Sequence, residues 1–392
     1  MQALELRFPG RYWDSLLYDG RLYLFTRAGE IRVCDWDRLV GELGWSDDLA
    51  PLAMQFLTRG RAWYAPEIRR LLQSPATFAH LSDLVSALTK RSFVVPDSAV
   101  RRSTVWELES PLFPHSDVEA YYNSLYIGSP EGLVHAPLAR TTIEPFEQLL
   151  DAPALRISAS YRSMAVAAGS VGLIELPLAT RYEDKIPPRL VTEWHCQSCS
   201  WASFDIVASS PDFGGGFLAA YANPRDPNYE DERHPLLGLL AAESIFDRTG
   251  AYLFAAADKL ILIGDGFVEA GKWSPYRRRP GYGIDVEKAK LKRQIVEDQR
   301  LRKEVLNASA SVFGYVVEFD TALIVFANDG TSKRLNEPVS WRCFPRSSRY
   351  LNHLHVTLED HLRIYAFVHD YFLQDHERGT SIARPTVTRP GD

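Results

Sequence analysis

Two stretches of this chain repeat one pattern. They are NSLYIGSPEGLVHAPL (residues 123–138) and RSMAVAAGSVGLIELPL (residues 162–178). Each has a short apolar run, a turn ending in glycine, then Gly-Leu-Val/Ile-x-x-Pro-Leu. The two glycines, Gly132 and Gly172, lie 40 residues apart. The same shape recurs as GRLYLFTRAGEIRVCDW (20–36), SFDIVASSPDFGGGFLAAY (203–221) and AYLFAAADKLILIGDGFVEAGKW (251–273). It returns as GYVVEFDTALIVFANDGTSKRL (314–335) and HLHVTLEDHLRIYAFVHDYF (353–372). Runs of Val, Ile, Leu, Tyr and Phe suit a pleated surface, and the Gly, Asn and Asp between them supply turns, so each unit reads as a hairpin. A lone hairpin cannot bury its apolar faces. Copies at a spacing of about 40 residues bury them against one another, as in propellers and solenoids. A β-sandwich is the alternative; the GLVHAPL/GLIELPL match and the number of hairpins favour radial repetition. The expectation is an all-β chain, a single β-propeller domain over residues 1–376 with about seven blades, six being the alternative count.

In outline the chain resembles the WD40-like β-propellers over most of its length. Their signature motifs are absent. No repeat opens on Gly-His, none ends on Trp-Asp, and Trp36-Asp37 in VCDWDRL stands alone. The resemblance implies a binding platform more readily than an enzyme.

Two segments interrupt the repeat. The first, near residues 46–91, begins SDDLAPLAMQFL, where Ser46 is a plausible cap with Asp47 and Asp48 behind it. Ser74-Pro75 repeats the cap-and-proline signal, and Phe78, Leu81, Leu84, Val85 and Leu88 follow at helical spacing. A helical insertion is expected, covering a blade edge or docking a partner. The second, near residues 274–307, is expected to be a basic loop (Tyr276, Arg277, Arg278, Arg279, Tyr282) leading into a charged helix with Lys290, Lys292 and Arg293. Residues 277–304 hold ten Lys/Arg against five Asp/Glu, on a chain of net charge −6. That asymmetry makes these eight residues the candidate partner-binding set; a solvated helix with internal ion pairs is the plainer alternative. An Arg-rich exposed loop is also where a protease of basic specificity would cut. The tail, 377–392, has no apolar periodicity and is expected to be disordered.

Chemistry is hard to find. WHCQSCSW (194–201) offers His195, Cys196 and Cys199, three ligands where structural zinc needs four. Side chains three apart on a strand diverge, so packed thiols are the favoured reading over a metal or redox pair. His353 and His355 share a strand face and His361 follows, a spacing that can hold a catalytic metal. Histidines on the polar face of an outer strand are the favoured reading there. Gly169-Ser170-Val171-Gly172 is no nucleophile elbow, and Asp212-Phe213-Gly214 lacks every other kinase element. Glu131, Asp205 and Asp258 stand near repeat strands and are candidates for lining a channel. No catalytic residue, metal ligand or cofactor is assigned.

The net charge gives no global attraction to nucleic acid or anionic lipid. MQALELRFPG lacks a signal-peptide pattern, the longest apolar run is too short to span a bilayer, and four cysteines make no disulfide framework, so a cytoplasmic protein is expected. Abundant Ala, Leu and Arg with few Lys suit a GC-rich bacterium. The expected function is a non-enzymatic scaffold or adaptor binding a protein partner. The alternatives are a channel-site hydrolase or lyase, with or without a metal, and a nucleic-acid-associated adaptor using the basic segment.

Overall fold

A computed structural model describes residues 2–60, 74–138, 143, 145–178, 187–222, 235–256, 259–273, 293–297, 301, 304–327 and 330–368. Its strands form seven sheets, six of four strands and one of five. Sheet 1 holds Tyr12–Tyr18, Arg21–Thr26, Glu30–Asp35 and Thr104–Glu109. Sheet 2 holds Asp117–Tyr121, Ser124–Ser129, Gly132–Pro137 and Glu147–Leu150; sheet 3 holds Arg156–Ser160, Ser163–Ala167, Leu173–Pro177 and Arg189–Thr192. Sheet 4 holds Ser198–Ala202, Asp205–Ser210, Gly215–Tyr221 and Leu236–Ala241; sheet 5 holds Tyr252–Ala256, Lys259–Gly264, Phe267–Lys272 and Arg293–Glu297. Sheet 6 holds Val305–Ser311, Gly314–Phe319, Ala322–Ala327 and Ser332–Asn336. Sheet 7 joins Ser340–Cys343, His353–Thr357 and His361–Phe367 to Ala3–Pro9 and Ser92–Val94 from the other end of the chain.

The described residues divide into two compact units, 2–110 with 309–368, and 111–308. In the second, apolar clusters fill the space between successive sheets. Tyr126 and Leu133 of sheet 2 pack on Ile157, Met164, Val166 and Leu176 of sheet 3. Ala165 and Leu173 of sheet 3 then meet Trp201, Ile206 and Phe217 of sheet 4, and Val207 and Leu218 of sheet 4 meet Leu253 and Leu260 of sheet 5 and Trp273 just after its third strand. In the first unit, Val316, Leu323 and Val325 of sheet 6 pack on Trp341, Leu354, Val356 and Tyr365 of sheet 7. Sheets 3 and 4 are therefore apolar on both faces, which is why their strands read as near-continuous hydrophobic runs rather than clean alternations.

The repeated glycines have a steric cause. Gly132 and Gly172 precede or open the third strand of sheets 2 and 3, at φ 148° and 115°. A Cβ would lie 2.6 Å from the Leu150 carbonyl oxygen in the first case and 2.0 Å from that of Thr192 in the second. Only glycine lets the fourth strand approach so closely.

The expected insertion near 46–91 contains α-helices. With α1 (Trp36–Gly41), α2 (Ala50–Thr58), α3 (Pro75–Thr89) and α4 (Asp97–Ser103), it lies between the third and fourth strands of sheet 1. Val85 and Leu88 are the fully buried members of the apolar stripe expected in α3. The C-terminal turn of α2 leaves orphan carbonyls, and specific side chains meet them. The Trp36 indole donates to Leu57 O at 2.8 Å, and the Asn352 amide to Phe56 O at 3.2 Å.

One part of the sequence reading differs. Within the segment expected to be a charged helix, Arg293–Glu297 is a strand, the fourth of sheet 5, paired antiparallel with Phe267–Lys272. At Arg293–Glu297 the expected helix yielded to the backbone donors and acceptors along Phe267–Lys272, which need a partner. Tyr276, Arg277, Arg278, Arg279, Tyr282, Lys290 and Lys292, and the tail 377–392, lie outside the described residues.

Candidate functional site

The first two strands of sheets 2 and 3 are joined by two-residue turns. In their type I′ form such turns require positive φ at both central positions, which is why Asn-Gly and Asp-Gly dominate them. Sheet 1 obeys, with Asp19 and Gly20. Sheet 2 uses Tyr122 (φ 47°) and Asn123 (φ 56°), and sheet 3 uses Tyr161 (φ 49°) and Arg162 (φ 57°). A left-handed conformation at a tyrosine is uncommon and costs on the order of 1 kcal/mol. Neither ring is buried in return. Tyr122 is 61% exposed and Tyr161 44%.

These turns adjoin one another. Tyr121 and Tyr122 meet edge to face at 4.7 Å. The Arg162 backbone N–H donates to the Tyr121 hydroxyl at 3.2 Å. The Tyr161 ring then lies 6.3 Å from Trp201 and 6.2 Å from Phe204, the latter in the corresponding turn of sheet 4, where Ser203 has φ 54°. The result is a row of aromatic side chains running over three consecutive sheets, all within the second unit. Sequence reading missed it because its turn signals were Gly, Asn and Asp. The available clue was the parallel pair Tyr122-Asn123 and Tyr161-Arg162 just ahead of the two matching strands.

A depression of about 580 Å³ lies on sheet 1 and α4, lined by Arg32, Asp97, Arg101, Thr104, Val105, Trp106 and Glu107. Its charges close on one another. Arg32 pairs with Glu107 at 2.6 Å and Arg101 with Asp97 at 2.6 Å. It presents no set of polar groups converging on a ligand.

The residues of WHCQSCSW pack. Trp194 stacks on Phe213 at 3.9 Å, and the Trp201 indole donates to Ser158 O at 2.7 Å. The Cys196 thiol donates to Ser198 O and the Cys199 thiol to Ala165 O. Burial pushes Cys196 up to about 12 and Cys199 well above the ordinary thiol value, so neither is poised as a thiolate. Asp212-Phe213 forms a short 3-10 turn between two strands of sheet 4.

His353, His355 and His361 are not solvated on an outer strand: the first two are fully buried with ring centroids 6.0 Å apart, and His361 pairs with its neighbour Asp360. His353–Thr357 is an interior strand of sheet 7, flanked by Ser340–Cys343 and His361–Phe367. His353 Nε2 lies 3.3 Å from Phe56 O, at the end of α2, and is its donor in the neutral tautomer. His355 Nδ1 lies 2.8 Å from Ser15 Oγ. Burial holds His353 down to about 4 and His355 well below the usual imidazole value. His361 faces Asp360 at 2.5 Å. Among the described residues no three His, Cys, Asp or Glu side chains converge as a metal site.

Of the candidate channel acids, Asp205 is fully buried and accepts from the Tyr221 N–H at 2.9 Å and the Trp273 indole at 2.5 Å. Glu131 is exposed in a turn of sheet 2, and Asp258 lies outside the described residues. Buried carboxylates instead bind neighbouring sheets together. Asp117 accepts from its neighbour Val118 N–H at 2.9 Å and from Ile157 N–H of sheet 3 at 3.0 Å. Asp14 repeats the device, accepting from Ser15 N–H at 2.7 Å and from Arg342 of sheet 7 at 2.9 Å.

No family model matches this chain, and no curated protein matches it. Solved structures do. The β-propeller domain of Cps50 (Swd1) from Myceliophteria thermophila aligns with a TM-score of 0.53 at 9% identity, covering 92% of this chain and 97% of that one. The chain is a seven-bladed β-propeller. The designed protein Ika8 aligns at a TM-score of 0.44 and 7% identity, covering 94% of this chain and 100% of that one. A structure described as a 6-phosphogluconolactonase from Bacteroides fragilis aligns at 0.42 and 12% identity, covering 65% and 79%. The seven sheets are thus the blades expected from the repeat, without the WD40 motifs.

Proposed function

We propose that this propeller is a non-enzymatic protein-interaction module whose binding surface includes the aromatic turns of blades 2 to 4. The observation that carries this reading is the pair of exposed tyrosines, Tyr122 and Tyr161, held in left-handed turns. Strained backbone persists only where the surrounding structure holds it, and such residues cluster at active and binding sites. Tyrosine is also among the side chains that dominate protein interfaces. The likeness to a Swd1 propeller domain supports the fold on which this reading stands.

The test is capture from the native host with the intact chain and with a Tyr122→Asn/Tyr161→Asn variant. Asparagine tolerates the left-handed turn, so the variant keeps its fold while losing both rings. A partner held by the intact chain and lost by the variant supports the reading; equal capture by both overturns it.

The basic segment around 274–307 remains a second proposed recognition element. Its support is the local excess of ten Lys/Arg over five Asp/Glu on an acidic chain. An acidic surface on a protein partner suits it. Replacing 276–292 with a Gly/Ser linker and repeating the capture tests it separately from the tyrosines.

A further inference from the structure

We infer that the buried imidazoles of His353 and His355 hold a single water molecule between them, which accepts from His355 and donates to His353. The pair belongs to the first unit and the aromatic turns to the second, so the two proposals stand or fall separately.

Each ring uses one nitrogen on the protein and keeps the other. His353 Nε2 meets Phe56 O at 3.3 Å, and His355 Nδ1 meets Ser15 Oγ at 2.8 Å. His353 Nδ1 and His355 Nε2 are buried and meet no hydrogen-bond partner among the described residues. Such atoms are rare in folded proteins, and where the protein offers them nothing an ordered water or an ion does. The two residues lie two apart on one strand, so their rings leave the same face, with centroids 6.0 Å apart. Turned towards each other, the two nitrogens are too far apart for a direct bond and near enough for one atom to bridge them. Apolar rings close the surroundings: Trp36 lies 6.2 Å from His353, and Phe344 4.8 Å from His355.

The bonds already made decide what that atom is. A carbonyl oxygen only accepts, so His353 carries its proton on Nε2, and its Nδ1 is an acceptor. Ser15 Oγ is fully buried and makes its one described hydrogen bond to His355. If the histidine donated there, the serine proton would have no acceptor. The serine therefore donates, His355 carries its proton on Nε2, and that nitrogen is a donor. Burial keeps both rings neutral, so the assignment holds at neutral pH. One donor facing one acceptor is the pattern a water completes through a single oxygen. A metal ion needs a lone pair from each ring and finds only one. The bridge makes a continuous chain of hydrogen bonds from the end of α2, through the two histidines of blade 7, to Ser15 in the first strand of blade 1.

The test has two arms, both on the full chain. A crystal structure at a resolution that shows ordered water should place one peak about 2.7–3.2 Å from both His353 Nδ1 and His355 Nε2. Long-range proton–nitrogen correlation spectra of histidine-labelled protein should show the Nε2–H tautomer at both residues, with His353→Gln and His355→Gln assigning the signals. If a variant fails to fold, the crystal arm still decides. Three outcomes overturn the inference: no peak bonded to both nitrogens, the Nδ1–H tautomer at His355, or a peak about 2.0–2.1 Å from both nitrogens with stoichiometric zinc or copper by elemental analysis. The last would make the pair a metal site.

Discussion

Tyr122 shows what a single residue contributes here. Its φ of 47° is a local cost and its ring is mostly in solvent, so the fold gains little from it. Tyr122→Asn should raise stability, by a few tenths to about 1 kcal/mol, measured as a shift of the urea midpoint. Gly172 is the opposite case. With φ at 115° and the Thr192 carbonyl oxygen 2.0 Å from where a Cβ would stand, Gly172→Ala should lower stability by about 2–4 kcal/mol. His353 gives a pH dependence. Burial at the end of α2, beside Trp36 and Tyr350, lowers its folded value to about 4. The unfolded chain, with an ordinary imidazole value near 6.5, binds more protons between those limits. Its contribution is fully present above pH 6.5, falls as pH drops towards 4, and is lost below that. His355, lowered in the same direction, adds to the effect. A midpoint series in urea from pH 7 to 4 should show this decline, and His353→Gln should flatten part of it.

At the scale of elements, blade 7 is built from both ends of the chain. Ala3–Pro9 pairs along its full length with His361–Phe367, Leu6 opposite Ile364 and Phe8 opposite Leu362. Leu4, Leu6 and Phe8 are completely buried. Leu6→Asp places a charge in that core and should cost more than 3 kcal/mol, roughly the range for an unpaired buried charge. The expected readout is loss of a cooperative melt or a sharply lower midpoint, in contrast to the mild effect of a change at Tyr122. The sequence reading took no strand from ALELRFP, whose partner lies more than 350 residues away. Arg293–Glu297 teaches a related lesson. Its residues are charged enough for a solvated helix, yet the open side of Phe267–Lys272 recruits them as a strand. Local propensity is a weak prior beside an unpaired row of backbone groups.

For the whole molecule, the repeat supplied the architecture and left the surface undecided. Binding through the aromatic row should vary little with salt, whereas binding through the basic segment should weaken steeply between low and physiological ionic strength. Measuring partner affinity across that range separates the two proposed elements. The blade number followed from counting hairpins, because each unit must bury both faces against a neighbour and only a closed or stacked series allows it. The glycines at 132 and 172 were legible for the same reason: a turn and a close strand approach admit few residue types. The histidines misled because spacing gives a face but not what that face meets. His353 meets the end of α2 and His355 meets Ser15, contacts made across roughly 300 residues of chain. Asp14 and Asp117 join blades through backbone and side-chain donors that no local pattern announces. What the sequence determined by itself was periodic: strands, turns and their repetition, because hydrophobic burial and backbone geometry act over a few residues at a time. What only the tertiary structure decided was adjacency. It brought Tyr121, Tyr161 and Phe204 into one row, because neighbouring blades align turns that the chain separates by about 40 residues.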